Sequence, residues 1–311
     1  MRIMDSAYFT INIQNDMPLF KYLSSNSLKY ILEGQIRFSQ PGSFNDPFEL
    51  LPEIYHPPDI VPIKVNINFS LDAPRRDLSK FTQLDDFDPK YCNDQISRII
   101  VDTLDKQIGF LCLTENSNSL LMWAHYADEY KGAIIEFEED HDFFKNKIVV
   151  DYHVERPKLS AIYYIEASEP IPIAELCTKS EQWSYENEVR IVCSLNNCKK
   201  VGKVDDYDIF VQDIPLTAIK KVFLGERMPV KEQREVFEIL KYTNISISLG
   251  TIATTHYSIE EKWLKFAAPI PEGGPVISAR TAELFKNDSG TNAKVAKFMI
   301  KNSPHKGITK R

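Results

Sequence analysis

GFLCLTENSNSLLMWAHYADEYKGAIIEFE, residues 109–138, carries the reading on which the fold turns. Residues 109–114 are a short, almost wholly apolar run of the length a buried strand needs. The polar ENSNS stretch that follows supplies a helix N-cap, and 120–130 then read as a helix, with Gly132 as its stop. Residues 133–137, AIIEF, return to strand. On the helix, Leu120, Trp123, Ala127 and Tyr130 recur at i, i+3, i+7 and i+10 and form one apolar stripe. Met122 and Tyr126 stand on the neighbouring face, and His125 lies with Leu121 and Asp128.

Working outward, the segment before it repeats the pattern. Residues 19–23 (LFKYL) read as strand, Ser25 or Asn26 caps a short helix over 28–33, Gly34 stops it, and 36–38 form a second strand. Residues 52–94 are rich in proline and acid without a sustained period and read as an insertion of loops, followed by a helix over 95–107. Further strands are expected at 147–152, 161–165, 188–193, 220–225 and 245–251, with a helix over 231–241. Strands and helices mixed without strict βαβ alternation predict an α+β fold with a mixed or antiparallel sheet and short helices. One domain is expected over 1–267, and 268–311 as a flexible basic tail that adds little to the core.

Composition narrows the classes. A chain of 311 residues buries a core without covalent staples. The five cysteines (Cys92, Cys112, Cys177, Cys193, Cys198) include no CxxC pair and no Cys/His grouping at zinc spacing, which suits a reducing compartment such as the cytoplasm. The sequence has neither a signal-like start nor an 18-residue apolar run, so no membrane partner is expected. The net charge of -7 is uneven, because Lys286, Lys294, Lys297, Lys301, Lys306, Lys310 and Arg311 face one acid, Asp288, in the last stretch. A solvated tail and an arm for an anionic partner are both open readings of that basic end.

Four phrases, LFKYLSSNSLKYILEGQIRFSQPGSFNDPFE (19–49), residues 109–138, EQWSYENEVRIV (181–192) and KVFLGERM (221–228), resemble in their order the family called domain of unknown function 2971, over roughly residues 19 to 250. A second resemblance is to the ADP-ribosyltransferases. Those enzymes have an opening strand bearing His or Arg, a middle strand leading through a Ser-containing turn into a helix with an aromatic residue, and a late strand with the catalytic Glu. This resemblance implies a split sheet and NAD as substrate. It implies Glu188 and Glu186 as catalytic residues, with Lys21, Tyr22, Ser119, Trp123, Tyr126, Asn45, Asp46 and Arg190 around the cofactor. It also implies a protein or nucleic-acid acceptor and a toxin or phage-defence role. This chain departs from the pattern in the opening strand, where Lys21 or Tyr22 stands in place of His or Arg.

The residues themselves leave several readings open. Alternation on a strand would put Glu186, Glu188 and Arg190 on one face, with Tyr185, Val189 and Ile191 on the other. One carboxylate could then hold a ribose hydroxyl and stabilise positive charge on the anomeric carbon, while the other steers the acceptor. The bland alternative is a solvated strand face on which Arg190 pairs with an acid. In FNDPFE, Asn45 and Asp46 before Pro47 make a turn in which an Asx side chain bonds its own backbone, or else they reach the pocket. Asp46, Glu49, Glu186 and Glu188 together would suit magnesium or manganese in a nuclease-like hydrolase. Trp123 reads as core or as an aromatic floor for a ring, and His125 as surface or as an acid-base group. Three functions follow: an NAD-consuming transferase or glycohydrolase, a non-catalytic binding or sensor module, and a metal-dependent hydrolase.

Overall fold

The computed structural model describes residues 17–55, 89–161 and 171–303. Most of the expected insertion, residues 162–165 of one expected strand, and the terminal Lys306, Lys310 and Arg311 lie outside them. In chain order the elements are β1 (Leu19–Leu23), α1 (Ser25–Leu32), β2 (Gln35–Phe38), β3 (Glu53–Tyr55), α2 (Pro89–Asp105), β4 (Ile108–Thr114), α3 (Leu120–Tyr126) and β5 (Ala133–Phe137). Then come β6 (Ile148–Val149), β7 (Asp151–His153), β8 (Lys158–Ser160), α4 (Ile173–Leu176), β9 (Thr178–Ser180), β10 (Glu188–Ser194), β11 (Lys199–Val204) and β12 (Tyr207–Asp213). The chain closes with β13 (Ile219–Leu224), α5 (Val230–Leu240), β14 (Ser246–Ile252), β15 (Ile259–Lys265), α6 (Ile270–Gly273) and α7 (Gly290–Asn302).

Eight strands form the main sheet in the order β15-β14-β13-β5-β1-β4-β10-β6, with β13 and β14 parallel and every other neighbouring pair antiparallel. This is an α+β fold on a mixed sheet. A three-stranded sheet β11-β12-β2 and two small pairs, β3-β8 and β7-β9, flank it. Strand alternation divides the core. Leu19, Leu111, Leu113, Ile135, Val189, Ile191, Val222 and Leu224 point to one face and join the largest apolar cluster, shared with α1 and α5. Their neighbours one residue on point to the other face, where they split into two clusters. Phe110 joins Ile100, Leu104 and Leu176 under α2 and α4, whereas Phe20, Tyr22, Ile134 and Phe223 join Met122 and Trp123 of α3.

Between those two clusters the sheet has a seam. Strand β1 pairs with β5 along all five of its residues, but shares with β4 only the Phe20–Thr114 pair.

Four expectations are corrected. Helix α1 is capped by Ser24, whose side chain accepts from the Ser27 amide, rather than by Ser25 or Asn26. Helix α3 ends at Tyr126 instead of running to residue 130, because Asp128, Glu129 and Tyr130 all adopt left-handed backbone (φ 46, 52 and 71°). That turn drives Gly132 against the chain so closely that a Cβ there would meet the Leu23 carbonyl oxygen at 2.1 Å. The expected strand at 147–152 is two short strands in different sheets.

The fourth correction concerns residues after 267. Ala282, Leu284, Phe285 and Ala296 are buried in the largest cluster, Arg280 Nε donates to the Gly250 carbonyl, and Arg234 pairs with Asp288. Small residues on α7 (Ala293, Ala296) let it lie close on the body while Lys294, Lys297 and Lys301 stay exposed, so the stretch up to 303 is part of the fold. Its basic, polar composition hid a one-sided helix.

Candidate functional site

A cleft of roughly 190 Å³ opens between the two apolar clusters on the second face, beside the seam. Phe20, Tyr22, Phe44 and Met122 supply apolar walls, and Asn45, Thr114, Tyr126, Lys179, Glu186 and Glu188 supply polar groups. Strand alternation explains why charge appears here. Glu188 is the first residue of β10 and pairs in register with Thr114, which itself pairs with Phe20, so all three side chains fall on the cleft face.

Glu186 arrives by a different route from the one expected. It ends a 3-10 turn (Glu181–Glu186), and Asn187 then takes left-handed backbone (φ 41°) before β10 begins. The three side chains Glu186, Glu188 and Arg190 therefore come together, but not as successive positions of one strand. Nor do they form a solvated face, since Glu186 is 3 %, Glu188 4 % and Arg190 0 % exposed.

Two cations organise the carboxylates. Arg190 Nε donates to Glu188 Oε1 at 2.8 Å, its Nη2 to Glu188 Oε2 at 3.1 Å and its Nη1 to Glu49 Oε1 at 2.5 Å. Its guanidinium lies over the rings of Phe44 and Phe110. Lys179 Nζ lies 2.6 Å from Glu188 Oε2, 2.7 Å from Glu186 Oε2 and 3.9 Å from Glu49 Oε2. Tyr126 Oη donates to the remaining Glu186 oxygen at 2.5 Å, and Asn45 Nδ2 donates to Tyr126 Oη at 3.3 Å. The Tyr152 hydroxyl accepts from the Glu188 amide at 2.8 Å.

This wiring sets the protonation states. Burial alone would raise the Glu188 carboxyl, but Arg190 and Lys179 outweigh it and hold it down at about 2, so it is ionised at neutral pH. Glu49 goes the other way. Burial outweighs Arg190 at contact and Lys179 at 3.9 Å and pushes it up, and among the described residues its Oε2 has no hydrogen-bond partner. Burial works against the charged form of Lys179, yet Glu188, Glu49 and Glu186 raise it above the ordinary lysine range. Burial also raises the Tyr126 hydroxyl, and the Glu186 hydrogen bond adds to that.

Of the residues expected at the site, Lys21, Tyr22, Asn45, Tyr126, Glu186 and Glu188 line the cleft. Lys21 does so at the seam, where its Nζ donates to the Cys112 carbonyl at 3.0 Å and burial lowers its pKa. Four do not line it. Ser119 caps α3 by accepting from the Met122 amide, and its own amide donates to the Tyr22 hydroxyl. Trp123 is wholly buried, stacked on Tyr130 and edge-on to Tyr22 and Phe223. Asp46 accepts from the Phe48 amide at 2.9 Å in an Asx turn and borders a separate hollow. Arg190 lies behind Glu188 and positions it. His125 is exposed on α3.

The residue that spacing could not reveal is Lys179. It reaches Glu186 and Glu188 because β9 pairs with β7, a contact far apart in sequence. Its ammonium stands between the two carboxylates, where a nuclease-like reading would need a divalent ion, and Asp46 is turned elsewhere. Among the described residues no group of three or more His, Cys, Asp and Glu side chains is arranged to hold a metal. No described helix is long and apolar enough to cross a membrane.

Residues 122–191 match the model of a family described as "Protein of unknown function (DUF2971)". The matched segment runs from α3 into β10 and contains Tyr126, Lys179, Glu186, Glu188 and Arg190. It is narrower than the span over which the sequence resembles that family. No curated protein and no solved structure matches the chain.

Proposed function

We propose that this chain, a DUF2971 family protein by its segment 122–191, binds the ring and ribose of a nicotinamide-type nucleotide in the cleft, as an NAD-consuming transferase or glycohydrolase. The observation that carries the reading is convergence: the opening strand, the turn-and-helix unit after β4, and the start of β10 all deliver side chains to one cleft. Phe20, Tyr22, Phe44 and Met122 offer an apolar slot for a flat ring. Glu188, Glu186, Lys179 and Thr114 at the polar end offer partners to sugar hydroxyls. In this reading Glu188, ionised at neutral pH, stabilises the positive charge that builds on the anomeric carbon as nicotinamide leaves. Glu186, beside Tyr126 and Lys179, steers the acceptor. The cleft is smaller than the ~300–1,000 Å³ of a drug-sized pocket, so it suits one ring and its sugar with the rest of a dinucleotide lying beyond it.

One observation favours a second reading, a non-catalytic binding or sensor module. Both oxygens of Glu188 and both of Glu186 are already engaged by Arg190, Lys179 and Tyr126, which compensates the charge a catalytic carboxylate must present. The test is nicotinamide release from NAD by wild type and Glu188→Gln, each first shown to be folded by its melting curve. The catalytic reading expects an active wild type and a loss on the order of a hundredfold or more in the variant. An equally active variant rejects Glu188 as catalyst. A protein inert toward NAD that still binds a cellular partner, with binding lost in Glu188→Gln, supports the sensor module.

A further inference from the structure

The four cysteines with described side chains divide sharply. Cys177 is buried, and Cys112 lies in the cleft with its thiol pushed well up by burial. Cys193 and Cys198 are each half-buried, and their sulfurs are 3.3 Å apart. Cys193 is near the end of β10, and Cys198 directly precedes β11. The short 3-10 turn Leu195–Asn197 folds the chain back between them, with the Cys198 amide donating to the Leu195 carbonyl.

We propose that Cys193 and Cys198 form a modification site, a dithiol that a hydroperoxide oxidises to an intramolecular disulfide across the turn between β10 and β11. Sulfurs in contact at 3.3 Å need to close by little more than an ångström to reach the ~2.05 Å of an S–S bond. The turn already holds the two residues on the same side.

The two sulfurs share a contact in which either thiol can donate, and Cys198 Sγ also donates to the Ser194 carbonyl at 3.9 Å. Either thiol can attack first, with the same products; in one order Cys198 leads. Its sulfur bonds to the terminal peroxide oxygen, the O–O bond breaks, and the departing alkoxide carries off the thiol proton as an alcohol. This leaves a sulfenic acid on Cys198. The Cys193 sulfur then attacks the Cys198 sulfur, the S–S bond forms, the S–O bond breaks, and hydroxide leaves with the Cys193 proton as water. Two thiols and one hydroperoxide thus give one disulfide, one alcohol and one water. The alternative is that the two thiols simply pack as small apolar groups against the largest cluster, which they touch.

The experiment treats the folded full-length chain with a small excess of hydrogen peroxide, quenches with catalase, alkylates the remaining thiols in denaturant and maps the peptides without reductant. The expected result is that the 193 and 198 thiols disappear together and reappear as one cross-linked peptide, while Cys177 stays free. Dithiothreitol should restore both. In Cys193→Ser, and likewise in Cys198→Ser, the remaining thiol should stop at the sulfenic acid and be trapped there by dimedone. Complete alkylation of both thiols after peroxide would overturn the proposal. So would sulfinic acid on one of the two thiols beside a free partner, or cross-links between chains. Wild-type mapping decides the matter even if the variant fails to fold.

Discussion

Lys179 Nζ lies 2.6 Å from Glu188 Oε2, although the two residues sit on strands of different sheets. The side chains of both are almost wholly buried. Their contact joins a peripheral strand pair to the main sheet. It also helps to keep Glu188 ionised, because Arg190 and Lys179 at contact together outweigh its burial. Glu49, with Arg190 at 2.5 Å but Lys179 only at 3.9 Å, is instead raised.

The first prediction concerns that cation. Lys179→Met should leave Glu186 and Glu188 facing one another with Arg190 alone to compensate, and should cost about 3–5 kcal/mol of stability, the usual cost of breaking a buried ion pair. Urea denaturation at neutral pH measures it. A loss below about 1 kcal/mol would show that the cluster is solvated in solution.

The acid limb of stability carries the second prediction. The folded-state pKa of Glu188, about 2, lies below the ~4.3 of an unfolded glutamate, so between those values the unfolded chain binds more protons and stability rises with pH. The contribution is on the order of 3 kcal/mol, is fully present above about pH 4.3 and is lost as pH falls through about 2. Glu49, with its raised pKa, has the opposite sign: it favours the fold while protonated and gives that up as pH rises past the unfolded value. Denaturation of wild type and Glu188→Gln from pH 6 to pH 2.5 should show the gap between them narrowing as the solution becomes more acid. A gap independent of pH would contradict the assignment.

Trp123→Ala and Tyr126→Phe separate core from site on one short helix. The first removes a fully buried ring and should cost about 3–5 kcal/mol. The second deletes one hydrogen bond to Glu186, about 1.5–3 kcal/mol, and should leave the melting transition cooperative. If the cleft holds the nucleotide, NAD should raise the melting temperature of Trp123 variants that still fold and should do so less in Tyr126→Phe. Equal shifts in both would place the ligand elsewhere.

Truncation after Phe266 should abolish cooperative folding, because it strips Ala282, Leu284, Phe285 and Ala296 from the largest cluster. The milder Phe285→Ala should cost about 3–5 kcal/mol. A soluble truncated protein with an unchanged melting temperature would show that the C-terminal helices dock without stabilising the body.

How far these features are legible in sequence depends on whether they are local. The strand at 109–114, the cap and helix after it, and β10 from Glu188 follow from apolar runs and capping residues that act over a few positions. Glu188 and Arg190 share a face for the same reason. Glu186 joins them through a left-handed Asn187, which alternation does not describe. Lys179 is set by a strand pairing at long range, and its own neighbours in sequence give no sign of its partners. The end of α3 is not legible in sequence because three non-glycine residues take left-handed backbone against their preference, beside the close approach of Gly132 and Gly225 to neighbouring carbonyls.

The seam between β1 and β4 has a mechanical consequence. A sheet normally resists opening through a ladder of hydrogen bonds, but along this line β1 and β4 share one register pair, and the Lys21 ammonium bridges it to the Cys112 carbonyl. The apolar cluster on the first face runs unbroken beneath the line, so any loosening falls on the cleft face. Lys21→Met should therefore let the walls carrying Phe20 and Thr114 separate without melting the body. Faster amide exchange confined to the facing edges of β1 and β4 would record that loosening.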